Sequence, residues 1–384
     1  MTSAVGAGTA HPILHMLQAE LKSLAIEEKI GQLFFIGLHG TELEGDAARL
    51  VDEIRPGGVC LFARNIREAA QTRALLDALR GALPVEPLLS LDQEGGLVDR
   101  LRRVVTPMPS ASKLRSESDA AELARIIAEC ARILGFNMDF APVVDVVDGP
   151  RGGYSNGGLV SRAFGKSADD VVRLAGTFLS ELRSCGVVGC IKHFPGLGAS
   201  QVDSHEELPL VAVSDDEFRS VDLAPYVELI ERGGVQAVMV AHAAYPTLAL
   251  QESRADGKLL PSSLSSRYID NLLRRELGFE GLVVTDDLEM GAIVRNFGIA
   301  EACRLAIAAG ADMLAICARP EAVREGFDAL AEAVARGEIS EARIDTSLAR
   351  IAGVKQTLSL PLPFDPRRID ELSAAVAELN ARLE

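Results

Sequence analysis

Residues 187–192 read Val-Val-Gly-Cys-Ile-Lys, and residues 281–286 read Gly-Leu-Val-Val-Thr-Asp. Both runs are apolar along nearly their whole length and stop at a charged side chain. A strand with one wet face alternates between apolar and polar; a continuous apolar run this short fits a strand covered on both faces, as in a parallel sheet. Six more runs share the design: Gln32-Leu-Phe-Phe-Ile-Gly37, Gly58-Val-Cys-Leu-Phe62, Pro87-Leu-Leu-Ser-Leu-Asp92, Asn137-Met-Asp-Phe-Ala-Pro142, Ala237-Val-Met-Val-Ala-His242 and Asp312-Met-Leu-Ala-Ile-Cys317. Helical periodicity fills several gaps between them, over 66–80, 119–134, 168–184 and 299–309.

Strand and helix alternating about eight times predicts an α/β fold, a single (β/α)8 barrel of the TIM type. A doubly wound sheet would alternate as well. However, neither a G-x-G-x-x-G turn nor a Walker A sequence follows any of the runs. Residues 1–20 read as a lead-in and residues 21–384 as the barrel. The Ala-, Glu- and Arg-rich stretch 320–384 supplies C-terminal helices packed around it. At 384 residues the chain holds a large barrel with extras but no second full domain.

Composition narrows the partners. Lys and Arg number 39 against 55 Asp and Glu, a net charge of −16 with no basic block, which argues against nucleic acid and against anionic membranes. No apolar run approaches a membrane span, and Met1–Gly6 carries no basic, then apolar, leader, so a cytoplasmic location is expected. The six cysteines show neither C-x-x-C nor zinc spacing and read as buried free thiols. The sequence is silent on oligomeric state.

A barrel enzyme builds its site at the C-terminal ends of its strands, so the runs that end in reactive groups matter most. Five do. The third ends in Asp92 and continues Gln93-Glu94-Gly95-Gly96; the fourth carries Asp145 just beyond it; the fifth ends in Lys192-His193, the sixth in His242 and the seventh in Asp286-Asp287. One such end is more often a helix cap than a catalyst, but in a barrel all five converge on one rim. Gly37-Leu-His39-Gly40 lacks the His-x-His of barrel zinc hydrolases, so no metal and no cofactor is expected.

Taken together, Leu91-Asp-Gln-Glu-Gly-Gly96 with Arg100, Lys192-His-Phe-Pro-Gly196 with Asp203-Ser-His205, and Thr285-Asp-Asp-Leu-Glu-Met290 resemble glycoside hydrolase family 3. The likeness is to its short bacterial β-N-acetylglucosaminidase branch, and it extends over about residues 24–355, including Ile26–Gln32 and 137–145. The resemblance implies a (β/α)8 catalytic barrel without the second sandwich domain of longer relatives. It also implies a retaining exo-glycosidase acting on terminal N-acetylglucosamine of small glycans such as peptidoglycan fragments.

By the same resemblance, Asp286 is the nucleophile, with Asp287 the less favoured candidate, and His205 oriented by Asp203 is the acid/base. Asp92, Arg100, Arg162, Lys192 and His193 bind the sugar, and Met290 supplies an apolar wall. An imidazole suits the acid/base role because it titrates near neutrality. The small residues Gly196, Gly198 and Ala199 suggest that His205 rides on a loosely packed, mobile loop. The chain departs from the family pattern at Leu97, Ser161 and Leu197 and in a Gly-rich stretch over 147–160, none of which removes a proposed catalytic group. A β-glucosidase or β-xylosidase of the same family, or a catalytically decayed sugar-binding barrel, are the alternative readings.

Overall fold

The computed structural model describes residues 12–148, 158–200 and 207–384. Each of the eight apolar runs forms a strand: β1 (Phe34–Gly37), β2 (Gly58–Cys60), β3 (Leu88–Leu91), β4 (Met138–Asp139), β5 (Val188–Phe194), β6 (Ala237–Val240), β7 (Leu282–Asp287) and β8 (Met313–Ile316). They pair in parallel in chain order, and β1 closes on β8 through Phe34 opposite Leu314 and Ile36 opposite Ile316. The sheet has no edge. Every residue of β1 through β6 and of β8 is buried, which is what continuous apolar runs require.

The helices start and stop where local chemistry allows. Ser116 accepts a hydrogen bond from the Asp119 N–H to open Glu117–Leu134, and Ser167 accepts from the Asp170 N–H to open Ala168–Ser184. Gly135 and Gly310, both left-handed, end Glu117–Leu134 and Ile299–Ala309. Three helices make up the tail: Pro320–Ala335, Glu341–Lys355 and Pro366–Leu383. The second of these reaches the N-terminal ends of β1 and β8. Lys355 donates to Gln32 at 2.9 Å, and Ser347 donates to Asp312 at 2.9 Å. A helix over Pro12–Ser23 crosses the boundary drawn at residue 20, with Leu17 and Leu21 against the core.

Inside the barrel, the Phe35 ring meets Phe140 edge-on, with centroids 5.1 Å apart. Phe140 in turn forms part of the wall of a pocket at the C-terminal ends of the strands. A short antiparallel ribbon, Gln93–Gly95 with Val98–Asp99, rises directly from β3 at the border of that pocket. The Gln93 side chain shapes it: its Oε1 accepts from the Arg100 and Leu101 N–H groups, and its Nε2 donates to Asp99 at 2.9 Å.

Candidate active site

The pocket encloses about 1010 Å³ of empty space counted out to its open mouth. Asp92, Arg100, Arg162, Lys192, His193, Asp286 and Met290 all line it. The structure therefore brings seven of the nine residues singled out in the sequence to one cavity. The other two, Asp203 and His205, lie outside the described residues; Ser200, the last described residue before them, lines the pocket.

A charged cluster forms one wall. The Lys192 ammonium, buried on β5, donates to Asp92 and to Glu94 at 2.7 Å each. Glu94 also receives Arg162 side-on, from Nε at 2.7 Å and from Nη2 at 2.8 Å. Two carboxylates thus face two cations. Burial alone would push Glu94 up, but Lys192 and Arg162 hold its carboxyl far below the usual range. Burial likewise works against the charge on Lys192, and Asp92 with Glu94 outweigh it and raise that ammonium. An ammonium has three N–H groups, so two are spent here and one is left for a ligand. Asp92 keeps free acceptor positions too, because Arg100 stands 3.7 Å from its second oxygen.

His193 is fixed from behind. Its Nδ1 lies 2.7 Å from Asp145, whose other oxygen accepts the Leu197 N–H at 2.7 Å and the His193 N–H at 3.3 Å. The ring's Nε2 is directed toward Arg162, 3.5 Å away. The stretch 196–200 is buried throughout. A Cβ on Gly198 would stand 2.0 Å from the Val146 carbonyl oxygen, and Tyr245 donates to the Gly196 carbonyl at 2.7 Å. The expectation of loose packing here is corrected: these small residues let two backbones touch.

The neighbouring carboxyls at the end of β7 differ in kind. Burial raises Asp286, but the His193 and His242 imidazoles, the Asp287 N–H at 2.9 Å and Lys192 more than offset it, leaving the carboxyl below its ordinary range. Asp287 is pushed up to about 7 by burial, with the charges of Glu289 and Asp286 adding to the effect. Its Oδ1 accepts from the Glu289 and Cys317 N–H groups at 3.0 and 3.3 Å. His242 braces this strand end: its Nε2 lies 3.0 Å from the Asp287 carbonyl oxygen and its Nδ1 lies 2.7 Å from the Ser263 hydroxyl. Burial lowers His242, which favours the neutral ring.

Glu94, Asp145 and His242 were visible in the sequence near strand ends but received no role there. Among the described residues, no group of three or more His, Cys, Asp or Glu side chains is placed to hold a metal ion. No helix among them is long and apolar enough to cross a membrane.

The model of the glycosyl hydrolase family 3 N-terminal domain matches residues 25–354. The chain belongs to glycosyl hydrolase family 3. This family-3 chain is similar to the beta-hexosaminidase of Pseudomonas aeruginosa PAO1, 34% identical over 286 residues that cover 73% of this chain and 81% of the relative. It is 31% identical to beta-hexosaminidase A of Pseudoalteromonas piscicida over 83% of its own length, but spans only 56% of that longer protein. Among solved structures, a family 3 β-N-acetylglucosaminidase from Paenibacillus sp. FPU-7 superposes with a TM-score of 0.83 at 37% identity, over 93% of this chain and 69% of that one. The barrel and its C-terminal helices are thus those of a family-3 glycoside hydrolase.

Proposed function

We propose that this chain is a retaining exo-β-N-acetylglucosaminidase that releases terminal N-acetylglucosamine from small glycans, peptidoglycan fragments among them, in the cytoplasm. The observation that carries the reading is that Asp286, whose carboxyl is held below its ordinary range, lines one pocket with Asp92, Arg162, Lys192 and His193, while burial raises the adjoining Asp287. Retaining hydrolysis needs a carboxylate free to attack the anomeric carbon, and an ionised oxygen on a rigid strand end supplies it.

In the first step Asp286 bonds to C1 while the glycosidic oxygen takes a proton from the His205 imidazole and leaves with the aglycone. In the second, His205 removes a proton from water, the hydroxide oxygen bonds to C1, and the Asp286 carboxylate departs. Asp203 orients the imidazole and supports its protonated form. Asp92, Lys192 and Arg162 present acceptors and donors to the sugar hydroxyls and the acetamido group. His193 and Arg100 contribute from either side, and Met290 offers an apolar wall. The similarity to beta-hexosaminidases and to a β-N-acetylglucosaminidase structure supports the choice of sugar.

The test pairs two measurements. Aryl N-acetylglucosaminide should be cleaved faster than aryl glucoside or xyloside. A 2-acetamido-5-fluoro sugar should label a single peptide containing Asp286. Faster release from the glucoside, or label on another residue, overturns the reading.

A further inference from the structure

Beyond the sugar-binding wall, the mouth of the pocket is apolar on the side where the ribbon faces the short helix Leu159–Arg162. Val98 and Leu159 line the cavity. Beside them, Leu97 is 65% exposed and Val160 is 47% exposed, two of only five large apolar side chains so exposed among the described residues. The two segments touch: a Cβ built on Gly158 would stand 2.6 Å from Leu97 Cδ1, so only glycine leaves Leu97 its place. The ribbon itself turns at Gly95 and Gly96, with φ of +84° and +59°, which carries Leu97 to its tip.

In an exo-acting enzyme the terminal sugar fills the charged end of the pocket and the leaving group must pass out through the mouth. Resting on the glycosidase reading above, we propose that Leu97, Val98, Leu159 and Val160 form an apolar leaving-group subsite that packs against the apolar face of the departing sugar and favours leaving groups with more apolar surface next to the scissile bond. An apolar part of the leaving group would cover side chains that otherwise stand in water, and the gain on covering them favours binding.

Methyl, butyl and octyl β-N-acetylglucosaminides share a similar leaving alcohol and differ in apolar length, so they separate contact from chemistry. For the native chain, kcat/KM should rise about tenfold from methyl to octyl, as expected when one or two methylenes are taken out of water. In Leu97→Ser the advantage of octyl over methyl should fall about fivefold. Leu97→Arg should flatten the series further. Because Leu97 is exposed, both variants should keep the native melting temperature, which is measured alongside. A native series with no dependence on chain length, or one that Leu97→Ser leaves unchanged, overturns the subsite while leaving the glycosidase reading intact. If no member of the series and no aryl N-acetylglucosaminide is turned over, the glycosidase reading falls and the subsite falls with it.

Discussion

Glu94 grips Arg162 through both of its carboxylate oxygens, at 2.7 and 2.8 Å, and the same carboxylate holds Lys192 at 2.7 Å. Three side chains from the ribbon, a short helix and β5 are thereby locked into one charged cluster in the wall of the pocket. Removing one partner of such a buried cluster leaves the others uncompensated, which costs more than the pair contributes.

Glu94→Gln tests this grip. The amide keeps the shape but loses the charge, leaving two cations against Asp92. We expect kcat/KM to fall about 10- to 100-fold, the equivalent of 1.5–3 kcal/mol for a charged hydrogen bond. The melting temperature should fall as well. Steady-state kinetics with an aryl N-acetylglucosaminide check it, and unchanged kcat/KM would show that Arg162 and Lys192 hold their places without Glu94.

Asp286 and Asp287 should respond to amide substitution in opposite ways. Asp286→Asn should lower kcat by three or more orders of magnitude, roughly the loss seen when one member of a catalytic set is removed. Asp287→Asn should keep turnover, since an amide oxygen can accept the same Glu289 and Cys317 N–H groups. Its signature is in stability. A carboxyl raised to about 7 in the folded state keeps its proton where the unfolded chain, titrating near ~4, has lost it. The native protein therefore loses stability as pH climbs from ~4 to about 7. Relative to native, Asp287→Asn should gain nothing at pH ~4 and up to about 4 kcal/mol above pH ~7, read from urea unfolding at both ends. Equal gains at the two pH values would be incompatible with the shift.

How much of this was legible in the sequence depends on which contacts are local. The eight strands were, because burial on both faces writes itself as an unbroken apolar run. Asp92, Lys192 and Asp286 were, because barrel geometry brings strand ends together whatever the loops do. Glu94 could have been found from its spacing of two from Asp92, which places both on one face of an extended segment, but its cation partners are 68 and 98 positions away. Asp145 was seen as a polar residue after β4, but its hold on His193 exists only once β4 and β5 pair. Gly196 and Gly198 misled for a plain reason: glycine marks freedom in an open loop and close approach in a packed one, and only the neighbours decide which. The π-wound helix over Arg267–Glu276 was legible as well, with Tyr268, Ile269, Leu272 and Leu273 on one buried face at helical spacing, although the expected helices did not include it.

Asp145 anchors His193 and the start of the following loop with three hydrogen bonds while fully buried. Asp145→Ala should therefore lower both stability and activity, and Asp145→Asn should separate them. The amide can still accept from the Leu197 N–H, so most stability should return, within about 1–2 kcal/mol of native. The imidazole would lose its charged partner, and kcat/KM should stay down about tenfold or more. If Asp145→Asn restores activity as fully as stability, the carboxylate serves only to pack the loop.

Far from the pocket, Lys355 offers a pH test of the barrel's closed lower end. The ammonium is buried against Gln32, and burial pulls it down to about 7, with Glu86 and Glu20 only partly offsetting the effect. The unfolded chain holds that proton up to pH ~10.4, so between about 7 and ~10.4 it binds more protons than the folded chain. Stability should accordingly rise with pH through this window, and below about 7 the folded protein must carry a buried charge. Lys355→Met removes the proton and with it the slope, but leaves the Gln32 carbonyl oxygen without its donor, a cost of about 1–3 kcal/mol at every pH. Subtracting variant from native therefore isolates the titration. The difference, native minus Lys355→Met, should grow by up to about 4 kcal/mol between pH ~6.5 and ~10 in urea unfolding. A difference that stays flat across that range would mean that Lys355 keeps an ordinary ammonium in the fold, with water reaching it beneath β1.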